Sequence, residues 1–120
     1  MAHMASLAAH KQGRFWDYHD KLFTNTRKLK LENLRQYAQE LGLDMERFEA
    51  DLVDLRNKSV IDADKSEAIS LKATGTPAFF VNGRYLSGAK PFEAFAKVIN
   101  AELGRLNLPV PAEAQVAQAP

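Results

Sequence analysis

The spacing of apolar residues changes once along the chain, close to residue 74. Before that point the period is helical. Residues 6–12 are rich in helix formers and stop at Gly13. Phe15, Trp16, His19, Leu22 and Phe23 then make one apolar stripe, with Asp17, Asp20 and Lys21 on the opposite side. Leu31, Leu34, Ala38 and Leu41 make a second stripe, closed by Gly42. Asp44 is a good N-cap for a third, whose buried face is Phe48, Leu52 and Leu55. Residues 57–73 read as a further helix with Val60, Ile61, Ala68 and Leu71 inward. Short loops between these segments favour antiparallel helical neighbours.

After residue 74 the pattern shortens to that of strands. Residues 78–81 (Ala-Phe-Phe-Val) form a brief apolar run, and 84–87 return. Between them stands Asn82-Gly83, a pair that tolerates positive φ at both positions and so predicts a tight hairpin. Pro91 suits a first helical turn. Phe92, Phe95, Ile99, Leu103 and Leu106 stripe a last helix. The fold class is therefore α+β and mostly helical. Four parts are expected: a leader at 1–5, a helical region at 6–73, a hairpin plus C-terminal helix at 74–106, and a flexible Pro/Ala-rich tail at 107–120. Met1-Ala2-His3-Met4 reads as a cloning leader, which sets His3 aside as a site residue.

Composition narrows the chemistry. A chain of 120 residues, 46% hydrophobic and 26% charged, is ordinary for one globular domain. Sixteen basic residues balance fifteen acidic ones, so no nucleic-acid partner is implied. Arg27, Lys28, Lys30 and Arg35 read as a solvated face. No apolar run approaches the roughly 20 residues of a membrane span, and no signal peptide opens the chain. There is no cysteine, which excludes disulfides, thiolate metal sites and thiol catalysis by this chain itself. Asp62-Ala63-Asp64-Lys65-Ser66-Glu67 starts like a calcium loop, but that loop needs Gly sixth and Glu twelfth. Glu67 and Ala73 stand there instead, so no metal or other cofactor is expected. His19 reads as a half-buried histidine with a hydrogen-bond partner, and Asn57-Lys58-Ser59 as a chance sequon inside a helix.

The segment leading into the hairpin is Gly75-Thr76-Pro77. An X-Pro bond is held cis at a cost of only about 0.5–1 kcal/mol, and a trans proline beginning an edge strand is equally compatible with the local sequence. Gly75-Thr76-Pro77-x-Phe79-Phe80-Val81-Asn82-Gly83, with Ser87-Gly88-Ala89 and Pro91-Phe92, resembles the cis-proline hairpin and last helix of DsbA-like thiol–disulfide oxidoreductases. Gln12-Gly13-Arg14-Phe15-Trp16-x-x-His19-Asp20-x-Leu22-Phe23 resembles a helical segment of that family, and Leu41-Gly42-Leu43-Asp44 with Phe48 its helical insertion. The resemblance covers roughly residues 6–106, the later part of a thioredoxin-like fold. The strand–helix–strand unit bearing Cys-x-x-Cys has no counterpart here. Leu86-Ser87-Gly88-Ala89 differs from the aromatic-Trp-Gly pattern of the glutathione-dependent isomerases that share the fold.

The resemblance implies a cis Thr76–Pro77 bond and a substrate-binding role for Gly75, Thr76 and Pro77. The complete protein would bind an extended polypeptide through its main chain and exchange disulfides. A periplasmic or other extracytoplasmic location is implied by the resemblance alone. The expected function is that of an inactive fragment carrying the peptide-binding hairpin. The alternatives are a non-catalytic peptide-binding module, or a helical interaction protein with an incidental hairpin. An uncovered hairpin edge also leads us to expect a homo-oligomer.

Overall fold

The computed structural model describes residues 1–112. It contains six helices and two strands in the order α1 (Ala2–Lys11), α2 (Phe15–Thr24), α3 (Leu31–Glu40), α4 (Met45–Leu52), α5 (Leu55–Ser70), β1 (Ala78–Val81), β2 (Arg84–Ser87) and α6 (Phe92–Arg105). The chain forms two compact units, divided between Glu67 and Ala68 near the end of α5. The part of the expected tail at 113–120 lies outside the described residues.

The first unit is built on alanine. Ala5, Ala8 and Ala9 share one face of α1 and are fully buried. Small side chains at i, i+3 and i+4 let the helix axis come close to its neighbours. Against them lie Tyr18, Leu34, Tyr37, Ala38, Leu43, Phe48 and Leu52. The first helix thus starts before residue 6, and residues 2–5, read above as leader, form its first turn. Gln12 fastens its far end: the side chain donates to the Asp44 carbonyl at 3.0 Å and accepts from the Asp44 amide at 2.8 Å. Asp44 in turn caps α4, accepting from the Arg47 amide at 3.1 Å.

Several expected core positions are exposed instead. On α2, Trp16 and Phe23 keep 71% and 69% of their surface, while Tyr18 is fully buried. The buried face is turned to Phe15, Tyr18 and Leu22 because Tyr18 can bury its ring without stranding its hydroxyl. That hydroxyl donates to the Leu34 carbonyl at 2.8 Å. Burial, with the nearby Tyr37 hydroxyl, pushes the Tyr18 pKa upward. Leu31, at the start of α3, is also partly exposed.

Leu55 is exposed because α4 ends at Leu52 and a new helix begins after Asp54. Asp54 accepts from the Arg56 amide at 2.8 Å and takes Leu55 out of the α4 register. Of the expected stripe, Val60 on α5 and Leu71 just beyond its end are exposed, and Ile61 and Ala68 are half-buried. Apolar residues there are scattered among Asp62, Asp64, Lys65 and Glu67, so no single face can be buried. The buried residue is Asn57, whose amide donates to the Asp51 carbonyl at 2.8 Å.

In the second unit, β1 and β2 form an antiparallel ribbon joined by Asn82 and Gly83. Their φ values of 48° and 81° are those of a type I′ turn. One face of the ribbon packs on α6, through Phe79 against Phe95 with ring centroids 4.9 Å apart. Leu86, opposite Phe79 in the register, is buried. The α6 stripe is only half covered: Phe92, Ile99 and Leu106 are exposed, while Ala96 and Glu102 are buried. A two-stranded ribbon is too narrow to cover a stripe of five large side chains.

Two outcomes check this account of the helical unit. Tyr18→Phe, which removes only the bond to Leu34, should cost about 1 kcal/mol in urea unfolding, and Tyr18→Ala about 3–5 kcal/mol. Asp54 should titrate near pH 2 by carboxyl NMR, because Arg56 hydrogen bonds foremost, then the charges of Arg56 and Lys11, hold it at about 2 against an ordinary 3.8. A depressed carboxyl stabilises the fold above its unfolded value. The α5 cap should therefore be intact above pH 3.8 and be lost as pH falls through about 2.

Candidate functional site

The site is assembled by the hairpin. In a two-residue hairpin the pair flanking the turn exchanges both hydrogen bonds, and bonded pairs alternate with non-bonded ones. The flanking pair is Val81–Arg84, so Phe79–Leu86 is the next bonded pair. Pro77–Gly88 follows in phase, and the Gly88 amide donates to the Pro77 carbonyl at 2.9 Å. The amides and carbonyls of Ala78 and Phe80 therefore point away from β2. Among the described residues no further strand pairs with β1. Its outer edge offers two donors and two acceptors. Proline's missing N–H falls on the inner ladder and leaves that edge intact.

Gly75, Thr76 and Pro77 lead directly into this edge and all three are exposed. The Thr76–Pro77 peptide bond is cis. Residues 74–83 carry no charged side chain, so neither lysine nor glutamate guards the edge. The face of the ribbon away from α6 carries Phe80 and Tyr85, whose rings lie 5.2 Å apart and remain partly exposed. An uncharged strand edge beside an aromatic pair is suited to an extended peptide: the backbone supplies the pairing and the rings receive alternate side chains.

An ion cluster around the buried Glu102 holds the hairpin tip. The Glu102 side chain on α6 is 5% exposed and lies 2.5 Å from Arg84 and 2.9 Å from Arg105. Asn82, in the turn, adds a hydrogen bond. The Arg105 hydrogen bond foremost, with the charges of Arg105 and Arg84, holds the Glu102 carboxyl below its ordinary value against the opposing effect of burial. Sequence reading missed this cluster. The available signal was Glu102 itself, an acidic residue seven positions after Phe95 in an otherwise apolar stripe.

The other residues singled out from sequence do not join the hairpin site. His19 lies among the rings of Phe15, Trp16 and Phe23, with Nδ1 3.1 Å from the Asp20 carboxylate. Asp62 pairs with Lys58 along α5. Arg35 forks onto Glu49. Among the described residues no group of three or more His, Asp or Glu could hold a metal ion. The helical unit bears an apolar hollow of about 430 Å³ walled by Phe15, His19, Leu22, Phe23 and Leu29.

Residues 1–100 match the DSBA-like thioredoxin domain. The chain belongs to that family. The DSBA-like chain is also 42% identical over 101 residues to a protein of Herminiimonas arsenicoxydans named Na(+)/H(+) antiporter NhaA, covering 84% of this chain and 16% of that protein. It is 39% identical over 99 residues to Na(+)/H(+) antiporter NhaA 3 of Salinispora tropica, covering 82% and 15%. A Mycolicibacterium gilvum protein, Na(+)/H(+) antiporter NhaA 1, is 37% identical over 106 residues, covering 84% and 16%. The chain thus spans about a sixth of the length of the relatives it matches. No helix among its described residues is long and apolar enough to cross a membrane.

The Glu102 cluster yields one expected outcome. Glu102→Gln keeps the size and removes the charge, so hairpin amides should exchange faster while those of α1–α4 keep their protection. In the unsubstituted chain the cluster is whole at neutral pH. It should weaken only as pH falls below the ordinary glutamate value of 4.5 and through the lowered one. Hydrogen exchange read by NMR across that range checks both.

Proposed function

We propose that this DSBA-like chain is the peptide-gripping part of a thiol–disulfide exchange protein and does no redox chemistry by itself. The observation carrying the reading is the unguarded outer edge of β1, led by exposed Gly75, Thr76 and Pro77, in a family member with no cysteine. Extended polypeptide pairs with the edge through its main chain, and the Phe80–Tyr85 face receives apolar side chains. Recognition through backbone groups is tolerant of sequence. The sulfur pair that would exchange disulfides with the bound peptide is supplied from outside this chain. The same edge accounts for the expected self-association.

The antiporter names of the relatives favour a second reading. The chain is then an accessory module of a longer transport protein, holding a peptide segment without redox work. Removing the matching region from the Herminiimonas protein and measuring Na⁺/H⁺ exchange in vesicles separates the two. Altered exchange supports the module, and unchanged exchange sets it aside.

Two assays test the first reading. In a dithiol oxidation assay the chain should give no turnover above background; measurable turnover contradicts the reading. Unrelated extended peptides should bind, by fluorescence anisotropy. Ala78→Pro removes one outward N–H without touching an inner-ladder bond. It should weaken binding by roughly 3–10-fold, the worth of about one hydrogen bond. Full affinity in that variant would place the peptide elsewhere.

A further inference from the structure

We infer that the hairpin turn is a site of spontaneous covalent modification, at which Asn82 loses its side-chain amide to attack by the Gly83 backbone nitrogen and the product releases the ribbon from α6. The modification and the release are independent of the peptide-binding reading above; the loss of peptide binding that follows from them rests on it.

The sequence holds six asparagines, and Asn82 alone is followed by glycine. A side chain on the following residue hinders the approach of its backbone nitrogen to the asparagine amide carbon, and glycine has none. The space beside Gly83 is open, with no atom outside its chain neighbours within 4 Å of where a Cβ would stand. The register leaves the attacking nitrogen unengaged. Val81 and Arg84 exchange the bonds that close the turn, so the Gly83 amide takes no part in the ladder. Both turn residues are exposed to water. Asn33 and Asn57 differ in each respect: they lie inside helices, and the amides that follow them, of Leu34 and Lys58, donate to the Lys30 and Asp54 carbonyls at 3.0 and 3.2 Å.

The chemistry needs only water. The Gly83 nitrogen gives up its proton and bonds to the Asn82 Cγ. The Cγ–Nδ2 bond breaks, and Nδ2 leaves as ammonia, taking a proton from the solvent. The cyclic imide so formed takes up one water. Opening at Cγ gives an aspartate. Opening at the main-chain carbonyl carbon gives an isoaspartate, in which the chain runs through the former side chain. Nothing is oxidised or reduced, and either product carries one more negative charge than asparagine.

Both products act on what holds the hairpin. Asn82 hydrogen-bonds the Glu102 carboxylate, whose side chain is 5% exposed. An aspartate there accepts only, and sets a second carboxylate against the first. Isoaspartate goes further, because it adds a backbone carbon to a two-residue loop closed by positive φ at both positions. Val81 and Arg84 then lose their register, and Phe79 loses its place against Phe95.

Storage of the full chain in warm, mildly alkaline buffer, followed by peptide mapping, tests the chemistry. Ion exchange separates the more acidic fraction for amide exchange by NMR. The expected result is modification at Asn82 ahead of the other asparagines. In the isoaspartate form the Phe79 and Val81 amides should exchange about tenfold faster or more, while α1–α4 keep their protection. Asn82→Gly keeps the positive φ and has no amide to lose, so its hairpin should keep its protection through the same storage. An Asn82 still intact when a free peptide of residues 79–87 is fully converted overturns the inference. So does an isoaspartate form whose hairpin exchanges at the original rate, or an Asn82→Gly chain that loses protection equally fast. If Asn82→Gly fails to fold, the separated fractions of the unsubstituted chain decide alone. The isoaspartate form should also lose extended peptide. Fast exchange with full peptide affinity keeps the modification and contradicts the peptide-binding reading.

Discussion

Two residues, Asn82 and Gly83, determine which way every backbone group of the hairpin points. Their positive φ values close a two-residue turn. Such a turn leaves no freedom of register: Val81 must bond to Arg84, and each residue before it must alternate inward and outward. A slip of one residue would turn Ala78 and Phe80 toward β2 and carry Phe79 off α6. The outward direction of the Ala78 and Phe80 backbone groups and the aromatic face of the candidate site are both consequences of that one turn. The Glu102 cluster reinforces it by gripping Asn82 and Arg84 from α6.

The two units differ in how they are held. The helical unit has a closed core in which alanines on α1 meet aromatic and leucine side chains, and its buried hydroxyls and amides find partners. The hairpin unit is thin. One ring contact, one buried leucine and an ion cluster join the ribbon to α6. Such a unit sits at the low end of local stability. It gains from anything that widens its sheet, whether an extended peptide or another strand.

Much of the fold was legible in the sequence. Glycines at 13 and 42, Asp44 and Asn82-Gly83 mark element ends through local chemistry, and each stands where such an end is found. The family was legible in the Gly75-Thr76-Pro77 hairpin taken with the helical motifs before it, and residues 1–100 belong to that family. Burial was read less well. Hydrophobicity alone put Trp16 and Phe23 inside and passed over Tyr18, whose burial depends on a carbonyl sixteen residues away. Leu55 was misplaced because Asp54 starts a new helix two residues after the last one ends. Glu102 escaped notice because its partners come from a different element, a relation that periodicity does not encode.

The most direct measurement is NMR mapping of the labelled chain with an unlabelled extended peptide. The account predicts an alternating footprint, with amide shifts and new intermolecular contacts at Thr76, Ala78 and Phe80 and little change at Phe79 and Val81. A footprint on the helical unit, or an even response along the whole hairpin, would contradict the claim that this edge is what the protein uses to hold a polypeptide.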